Sequence, residues 1–337
     1  MSKLTTAFIG VAHIHTPGFI NMLKKRADEV AVKYVYDIDP ERGAMRAAEV
    51  GGAFADVKTI LADPQVTSVI ICSETCQHVD LVADCAAAGK HIFCEKPLGL
   101  GAADANAIAD AIEKAGVIFQ TGFFSRGFPV HQFIKQEVAA GHLGKVTRVR
   151  YSNCHQGLLA GWFATEWKWI TDAKLAGGGA MLDLGAHHLD LILTTLTPTE
   201  GEVVSVAASL GNATGIAGPE IDEYGTALLT FASGAVATLE GSWVDPKLHS
   251  GIDVFGTKGQ IQIVDGKLRY YSELVEGATG EEFVTDLPEG APHAFDLFWD
   301  AQQGRKLQVP LVPVREAALG AATMERIYNA AGRKTTA

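Results

Sequence analysis

Asp183 and His187 stand four residues apart in the segment Gly177-Gly-Gly-Ala-Met-Leu-Asp183-Leu-Gly185-Ala-His187-His188. On a helix that spacing puts both side chains on one face. An imidazole can take a hydroxyl proton near neutral pH, and a carboxylate beside it can orient the ring or the reacting hydroxyl. His188 lies about 100° further round such a helix and should face elsewhere. A second group stands in Gly89-Lys-His-Ile-Phe-Cys-Glu95-Lys96-Pro97. Lys96 follows a β-rich run and precedes a proline, at the carboxyl end of what reads as a parallel sheet, where such sheets bind ligands. A lysine held there in a partly dry cleft beside Glu95 can hydrogen-bond a hydroxyl and stabilise an alkoxide as it develops. A lone histidine is more often a satisfied core residue, and a lone lysine a solvated one.

A third feature lies near the start. Thr5–Gly10 reads as a strand and Thr16-Pro17 as a helix start, with Thr16 as cap. Between them, Gly10-Val-Ala12-His13-Ile14-His15 keeps the first glycine of the G-x-G-x-x-G dinucleotide fingerprint, with Ala12 and His15 at the other two positions. A strand-to-helix turn still presents backbone N–H groups and the positive end of a helix to a diphosphate. Ala12 permits fairly close approach. His15 excludes the tight packing a third glycine gives, so the loop must differ in shape. Asp37, 27 residues after Gly10 at the tip of the second strand, is placed to accept hydrogen bonds from an adenosine ribose. Asp39, just before Pro40, is the better helix cap. With Ile38 beside it, the Asp37 carboxylate favours NAD and repels the 2′-phosphate of NADP; Arg42, the nearest counter-charge, is expected to point to solvent.

These residues need a frame. Over the first 125 residues short two-sided apolar strands alternate with amphipathic runs, which predicts a parallel sheet with helices on both faces. Strands are expected at Thr5–Gly10, Val30–Tyr36, Thr67–Cys72, His91–Cys94 and Val117–Thr121. Beyond 125 the pattern changes. β-rich segments at 146–154, 203–210, 224–231, 235–243, 252–255, 260–264 and 268–271 are joined by hairpin signals such as Ser233-Gly234, Thr257-Lys258-Gly259 and Asp265-Gly266. A helix at about 180–196 interrupts them, and one at about 315–331 closes the chain. The expected fold is an α/β Rossmann domain over residues 1–125. An α+β domain with a large, mostly antiparallel open sheet follows over 126–337.

Composition narrows the function classes. The chain has 337 residues, 47% hydrophobic and 20% charged, which suits about two globular domains. Its net charge of −11 argues against nucleic acid as a partner. No apolar run reaches the roughly 18 residues that span a bilayer, and the start does not read as a secretory signal. Cysteines at 72, 76, 85, 94 and 154 are odd in number and form no C-x-x-C pair, which points to reduced thiols and a cytoplasmic protein. His13 with His15, and His187 with His188, sit close together but in no recognised ligand spacing, so no metal is expected. Trp162, Phe163, Trp167 and Trp169 crowd one segment. Aromatic faces suit the C–H faces of a sugar, and Asn153, His155 and Lys168 could read hydroxyls. A core or subunit contact is the alternative.

The segment Glu95-Lys96-Pro97 resembles the signature of the glucose–fructose oxidoreductase/inositol dehydrogenase (Gfo/Idh/MocA) family. Leu61-Ala-Asp-Pro, Ser68-Val-Ile-Ile-Cys and His78 follow the family order, as do Gly141-His-Leu-Gly-Lys-Val and the glycine run with Asp183-x-x-x-His187. Where the family often has Thr-Pro, this chain has Ser73-Glu74. The resemblance implies an NAD(P)-dependent oxidoreductase acting on a secondary alcohol of a sugar, polyol or cyclitol, with a turn at Pro97 that can be cis. It implies Lys96, Asp183 and His187 as catalytic residues. Around NAD it puts Gly10, Ala12, His13, Ile14, Asp37, Ser73, Glu74, His78, Glu95 and Lys96, with NADP less favoured. His155 and Trp162 join Asp183 and His187 as candidate substrate contacts. Two rival readings are a glycosidase or lyase that retains its NAD, and a non-catalytic dinucleotide and sugar sensor. An open sheet in the second domain, as in relatives, implies a homodimer or homotetramer.

Overall fold

The protein was analysed as a computed structural model that describes residues 3–264 and 266–335. The first residues of the expected start and Asp265 of the third hairpin signal lie outside them. Strands β1 (Leu4–Val11), β2 (Val30–Tyr36), β3 (Ala53–Phe54), β4 (Ser68–Cys72), β5 (His91–Cys94) and β6 (Phe119–Thr121) form one six-stranded sheet in the order β3-β2-β1-β4-β5-β6. All its pairs are parallel. The central strands are buried on both faces, as their unbroken apolar runs require. Helices Thr16–Lys25 (α1), Pro40–Val50 (α2), Val57–Ala62 (α3), His78–Ala87 (α4) and Ala102–Ala115 (α5) connect them. Strand order reverses between β1 and β4, and this opens a crevice at the carboxyl ends of the strands. Asp39 caps α2, accepting from the N–H groups of Glu41 and Arg42. Thr16 does not cap α1: its N–H donates to the His13 carbonyl, and His15 takes the cap position with no side-chain bond.

Helix α6 (Pro129–Ala139) leads into the second half, where a single turn, α7 (Ala173–Ala176), precedes α8 (Ala186–Glu200). Strands β7 (Val146–Cys154), β8 (Val203–Gly211), β9 (Tyr224–Phe231), β10 (Val236–Ser242), β11 (His249–Gly256), β12 (Gly259–Val264), β13 (Lys267–Ser272) and β14 (Thr279–Phe283) make an eight-stranded sheet. Its order is β14-β13-β12-β11-β7-β10-β9-β8. The expected antiparallel pairing is found at every step except β7 with β10, which run parallel with Tyr151 opposite Leu239. A parallel pair needs a long crossover, and the segment carrying α8 supplies it. One sheet face is apolar, with Val149, Leu229, Leu239 and Val254 buried against the core. The other leaves Tyr224, Leu228 and Tyr271 exposed.

The tail packs in part against the first half. Helix α9 (Ala294–Gln302), which the sequence reading missed, packs Phe295, Phe298 and Trp299 on Phe8, Phe19 and Phe93 of the first half. Phe295 stacks on Phe19 with ring centroids 4.4 Å apart. The parallel sheet needs cover on both faces, and this short aromatic helix completes one of them. Helix α10 (Val314–Ala330), close to its expected bounds, packs against α5 on one side and α8 and β8 on the other.

Candidate active site

The site lies along the crevice of the parallel sheet. Gly10 has φ +84°, and a Cβ there would lie 2.4 Å from Ser73 Cβ and 2.6 Å from Ser73 N. That contact presses the β1 turn onto the loop after β4, and neither the backbone angle nor the space admits a side chain. The following helix α1 has no side-chain cap, so its positive end stays available to an anion. Ile14 is half-buried on this turn. Ala12 is buried under the aromatic segment of the second half, where Trp169 Nε1 donates to its carbonyl at 2.9 Å.

At the adenosine end the structure corrects one expectation. Arg42 does not point to solvent. It folds back onto Asp37 Oδ1, 2.6 Å from Nη2 and 3.0 Å from Nε, and reaches Glu74 Oε1 at 2.8 Å. Asp37 also accepts from the N–H groups of Val11 at 2.7 Å and Asp39 at 2.8 Å, and its side chain is fully buried. A ribose would have to share this carboxylate with Arg42. Glu74 binds Gln77 Nε2 at 2.5 Å as well, so its charge is held inside a local network. Ser73 is buried at the same turn, with its hydroxyl on the Glu74 carbonyl.

The segment after β5 gathers several buried ionisable groups. Glu95 is fully buried; its Oε2 accepts from the Lys96 N–H at 2.8 Å, and its Oε1 lies 3.1 Å from His15 Nδ1. The Lys96–Pro97 peptide bond is cis. His78, expected at the cofactor, stands behind this turn instead: it has no exposed surface, and its Nδ1 meets the Pro97 carbonyl at 3.0 Å. Lys96 is 2% exposed and its Nζ lies 2.5 Å from Asp183 Oδ1 and 3.2 Å from the Asp183 carbonyl. Trp243 Nε1 donates to the other oxygen, Oδ2, at 3.0 Å. Burial alone would raise the Asp183 pKa; Lys96, His187 and Trp243 overcome it and hold the carboxyl well below its usual range. His187 is pushed well below its ordinary value by burial, reinforced by the charge of Lys96. Its Nδ1 is buried and finds no hydrogen-bond partner among the described residues.

Asp183 and His187 come from an unusual turn. Met181–Gly185 is π-helical and runs directly into α8, a feature often found at functional sites. Its register rests on groups the sequence reading missed. A Cβ on Gly179 would lie 1.9 Å from the Asp222 carbonyl oxygen, so glycine is required there. Asp222 accepts from the N–H groups of Gly179 and Met181, both at 2.8 Å, and from Tyr328 Oη at 2.7 Å. Asp222, Trp243 and Tyr328 sit in no motif and carry no period; only the run Gly177-Gly-Gly hinted at a close approach. His188 faces away as expected, toward Tyr151 and His131. His155 and Trp162 lie together, ring centroids 4.9 Å apart, and the charges of Asp183 and Lys96 reach His155. Phe163 and Trp169 are core residues, and Phe163 packs against Trp243.

His13, His15 and Glu95 bring three potential ligand atoms within 4.8 Å of one another. The donor set does not suit a cation. His13 Nδ1 accepts from the His15 N–H at 3.2 Å, which leaves the ring proton on Nε2, the atom facing Glu95 at 3.9 Å. A metal-bound histidine needs the opposite arrangement, with its free nitrogen donating.

A crevice of this topology, entered by a glycine turn and an uncapped helix end, marks a dinucleotide-binding protein with a second domain closing over the site. The chain belongs to the Gfo/Idh/MocA family: residues 4–123 match the oxidoreductase family with an NAD-binding Rossmann fold, and residues 131–262 match the family's C-terminal domain. It is 30% identical over 267 residues to a scyllo-inositol 2-dehydrogenase (NAD(+)) of Bacillus subtilis, covering 77% of this chain and 69% of that one. It is 28% identical over 257 residues to a 1,5-anhydro-D-fructose reductase of Ensifer adhaerens, covering 75% and 73%. Its fold matches a levoglucosan dehydrogenase solved with NADH and L-sorbose, with a TM-score of 0.80 at 21% identity over 98% of this chain and 97% of that one. Among the described residues no helix is long and apolar enough to cross a membrane.

The buried imidazoles set a pH dependence. Burial pushes His13 and His188 down to about 3 and His131 to about 4, from 6.5. Below pH 6.5 the unfolded chain binds protons that the folded chain refuses, so stability is lost as pH falls. Each imidazole contributes about 1.4 kcal/mol per pH unit once the unfolded form titrates. Urea midpoints should drop between pH 7 and 5, and His188→Gln should flatten that drop by one proton's share. Equal midpoints at the two pH values would contradict the assignment.

Proposed function

We propose that the protein oxidises a secondary hydroxyl of a sugar, polyol or cyclitol with NAD, or reduces the matching ketone. The observation that carries this is the ion pair between buried Lys96 and part-exposed Asp183, beside His187 at the carboxyl ends of the parallel strands. The dinucleotide supplies the hydride acceptor; the turn from Gly10 to Ile14 and the start of α1 would hold its diphosphate, and Asp37 its ribose, shared with Arg42. In this reading the substrate oxygen lies between Lys96 and His187. Lys96 stabilises the developing alkoxide. His187, neutral because it is buried, takes the hydroxyl proton. Asp183 fixes the Lys96 ammonium and balances the imidazolium that forms. His155 and Trp162 offer a polar edge and an aromatic face to the rest of the substrate. The names of the inositol dehydrogenase and anhydrofructose reductase relatives support this substrate class.

An NADH-absorbance screen against sugars, inositols and sugar acids identifies the substrate. With it, Lys96→Ala and His187→Ala should each lower kcat at least about a hundredfold with folding retained. Near-normal turnover in either variant would remove that residue from the mechanism.

Cofactor choice follows from the Asp37–Arg42–Glu74 trio, which keeps two carboxylates to one guanidinium. A net negative pocket repels a 2′-phosphate, so NAD should bind about five- to 150-fold tighter than NADP. Paired titrations check this, and Arg42→Ala should widen the gap. Equal affinities would mean that the ribose lies elsewhere.

The exposed face of the eight-stranded sheet, with Tyr224, Leu228 and Tyr271, supports a homodimer or homotetramer built on it. Light scattering at micromolar concentration should give a multiple of 35.7 kDa; monomer alone would refute it.

A further inference from the structure

Each oxidation leaves one proton in the site, and His187 has no open route to pass it on. Its ring is 7% exposed and packed by Phe124 and Phe123, with centroids at 5.0 and 6.3 Å. Lys96 is committed to Asp183, whose depressed pKa keeps it from holding a proton. The His15 ring stands close by, its centroid 6.4 Å from that of His187. It occupies the position where the dinucleotide fingerprint has its third glycine.

His15 is built differently from its neighbours. Its Nδ1 lies 3.1 Å from Glu95 Oε1, and its side chain is 32% exposed. A hydrogen bond from Nδ1–H to this fully buried carboxylate leaves Nε2 as the acceptor and fixes the ring's orientation. The charged and titratable groups around it are His13 on its own loop, Glu95 and Lys96 after β5, His187 on α8 and His293 before α9. His13 and His293 do not serve: burial holds His13 at about 3, and His293 is lowered and uses its Nδ1 to accept from the Phe295 N–H.

We propose that His15, held by Glu95, is a proton relay between His187 and solvent. The inference rests on the dehydrogenase reading above. The balance is simple: the C–H bond breaks with its electron pair going to the nicotinamide of NAD, the O–H proton goes to His187, and His187 returns to neutrality by passing a proton through a bridging water to His15, whose ring is too distant for a direct hydrogen bond. His15 then releases one to water through its exposed edge. In ketone reduction the same path runs inward.

The test uses the intact protein with NAD and the substrate found by the screen. His15→Asn should lower kcat at least about tenfold, change the pH profile of kcat, and leave substrate KM and NADH affinity, read by fluorescence titration, within about twofold. His15→Ala should regain rate with added imidazole, in a saturable way, and Glu95→Gln should lower kcat in the same direction. A His15→Asn enzyme with full kcat and an unchanged pH profile overturns the relay alone. So does a loss of rate that imidazole does not restore and that tracks a loss of NADH affinity, because His15 then only shapes the loop. A wild-type protein that reduces no NAD with any of the panel overturns the dehydrogenase reading first, and the relay with it.

Discussion

The ion pair between Lys96 and Asp183 joins the two sheets at the point where the site lies. Lys96 belongs to the parallel sheet, Asp183 to the turn before α8, and Trp243 just beyond β10 closes the other carboxylate oxygen. Desolvating an unpaired ammonium costs several kcal/mol, and an ion pair seldom returns more than it costs against a well-packed apolar pair. Its value here is positional: two groups of opposite charge stay fixed beside a neutral imidazole. The geometry depends on parts far along the chain. Tyr328 on α10 holds Asp222, Asp222 holds the backbone of Gly179 and Met181, and that backbone sets where Asp183 and His187 emerge. The closing helix therefore belongs to the site as much as to the core.

A second organising group is the Glu95 carboxylate. It has no exposed surface, yet the approach of His13, His15 and Lys96 outweighs burial and keeps it charged. A Cβ on Gly122 would lie 2.7 Å from it, so the loop after β6 is also shaped around this side chain. The histidines of the nucleotide turn make sense in this light. Where a fingerprint glycine would give close helix packing, this chain places an imidazole against a buried acid. The turn keeps its anion-binding backbone and gains titratable side chains.

Much of this could be read from the sequence because local rules decide it. Two-sided apolar runs gave the parallel strands, and Asp39-Pro40 gave a helix start. The parts that could not be read are long-range. Helix α9 is nine residues long and shows its purpose only when Phe295 meets Phe19 and Phe93. Asp222 and Tyr328 are 106 residues apart and unremarkable in their own neighbourhoods. The inward turn of Arg42 brings Asp37, five residues back, together with Glu74, 32 residues away on the loop after β4, and no local pattern announces that three-way meeting.

Charge shows the same division between global and local. The chain carries a net −11, and its cofactor is a dianionic diphosphate. No lysine or arginine lies in the turn from Gly10 to His15. In the proposed binding mode the attraction there comes from backbone N–H groups and the end of α1, which act over a few ångströms and are not weakened by distant surface acids. At the adenosine end Glu74 would add a second bare carboxylate beside Asp37, a poor neighbour for any nucleotide. Arg42 and Gln77 absorb that charge, so one net negative charge remains where a ribose hydroxyl can donate. The two ends of the crevice thus use the same device: a basic side chain folded onto an acid, Arg42 on Asp37 and Lys96 on Asp183, with polarity left over for hydroxyl groups at both.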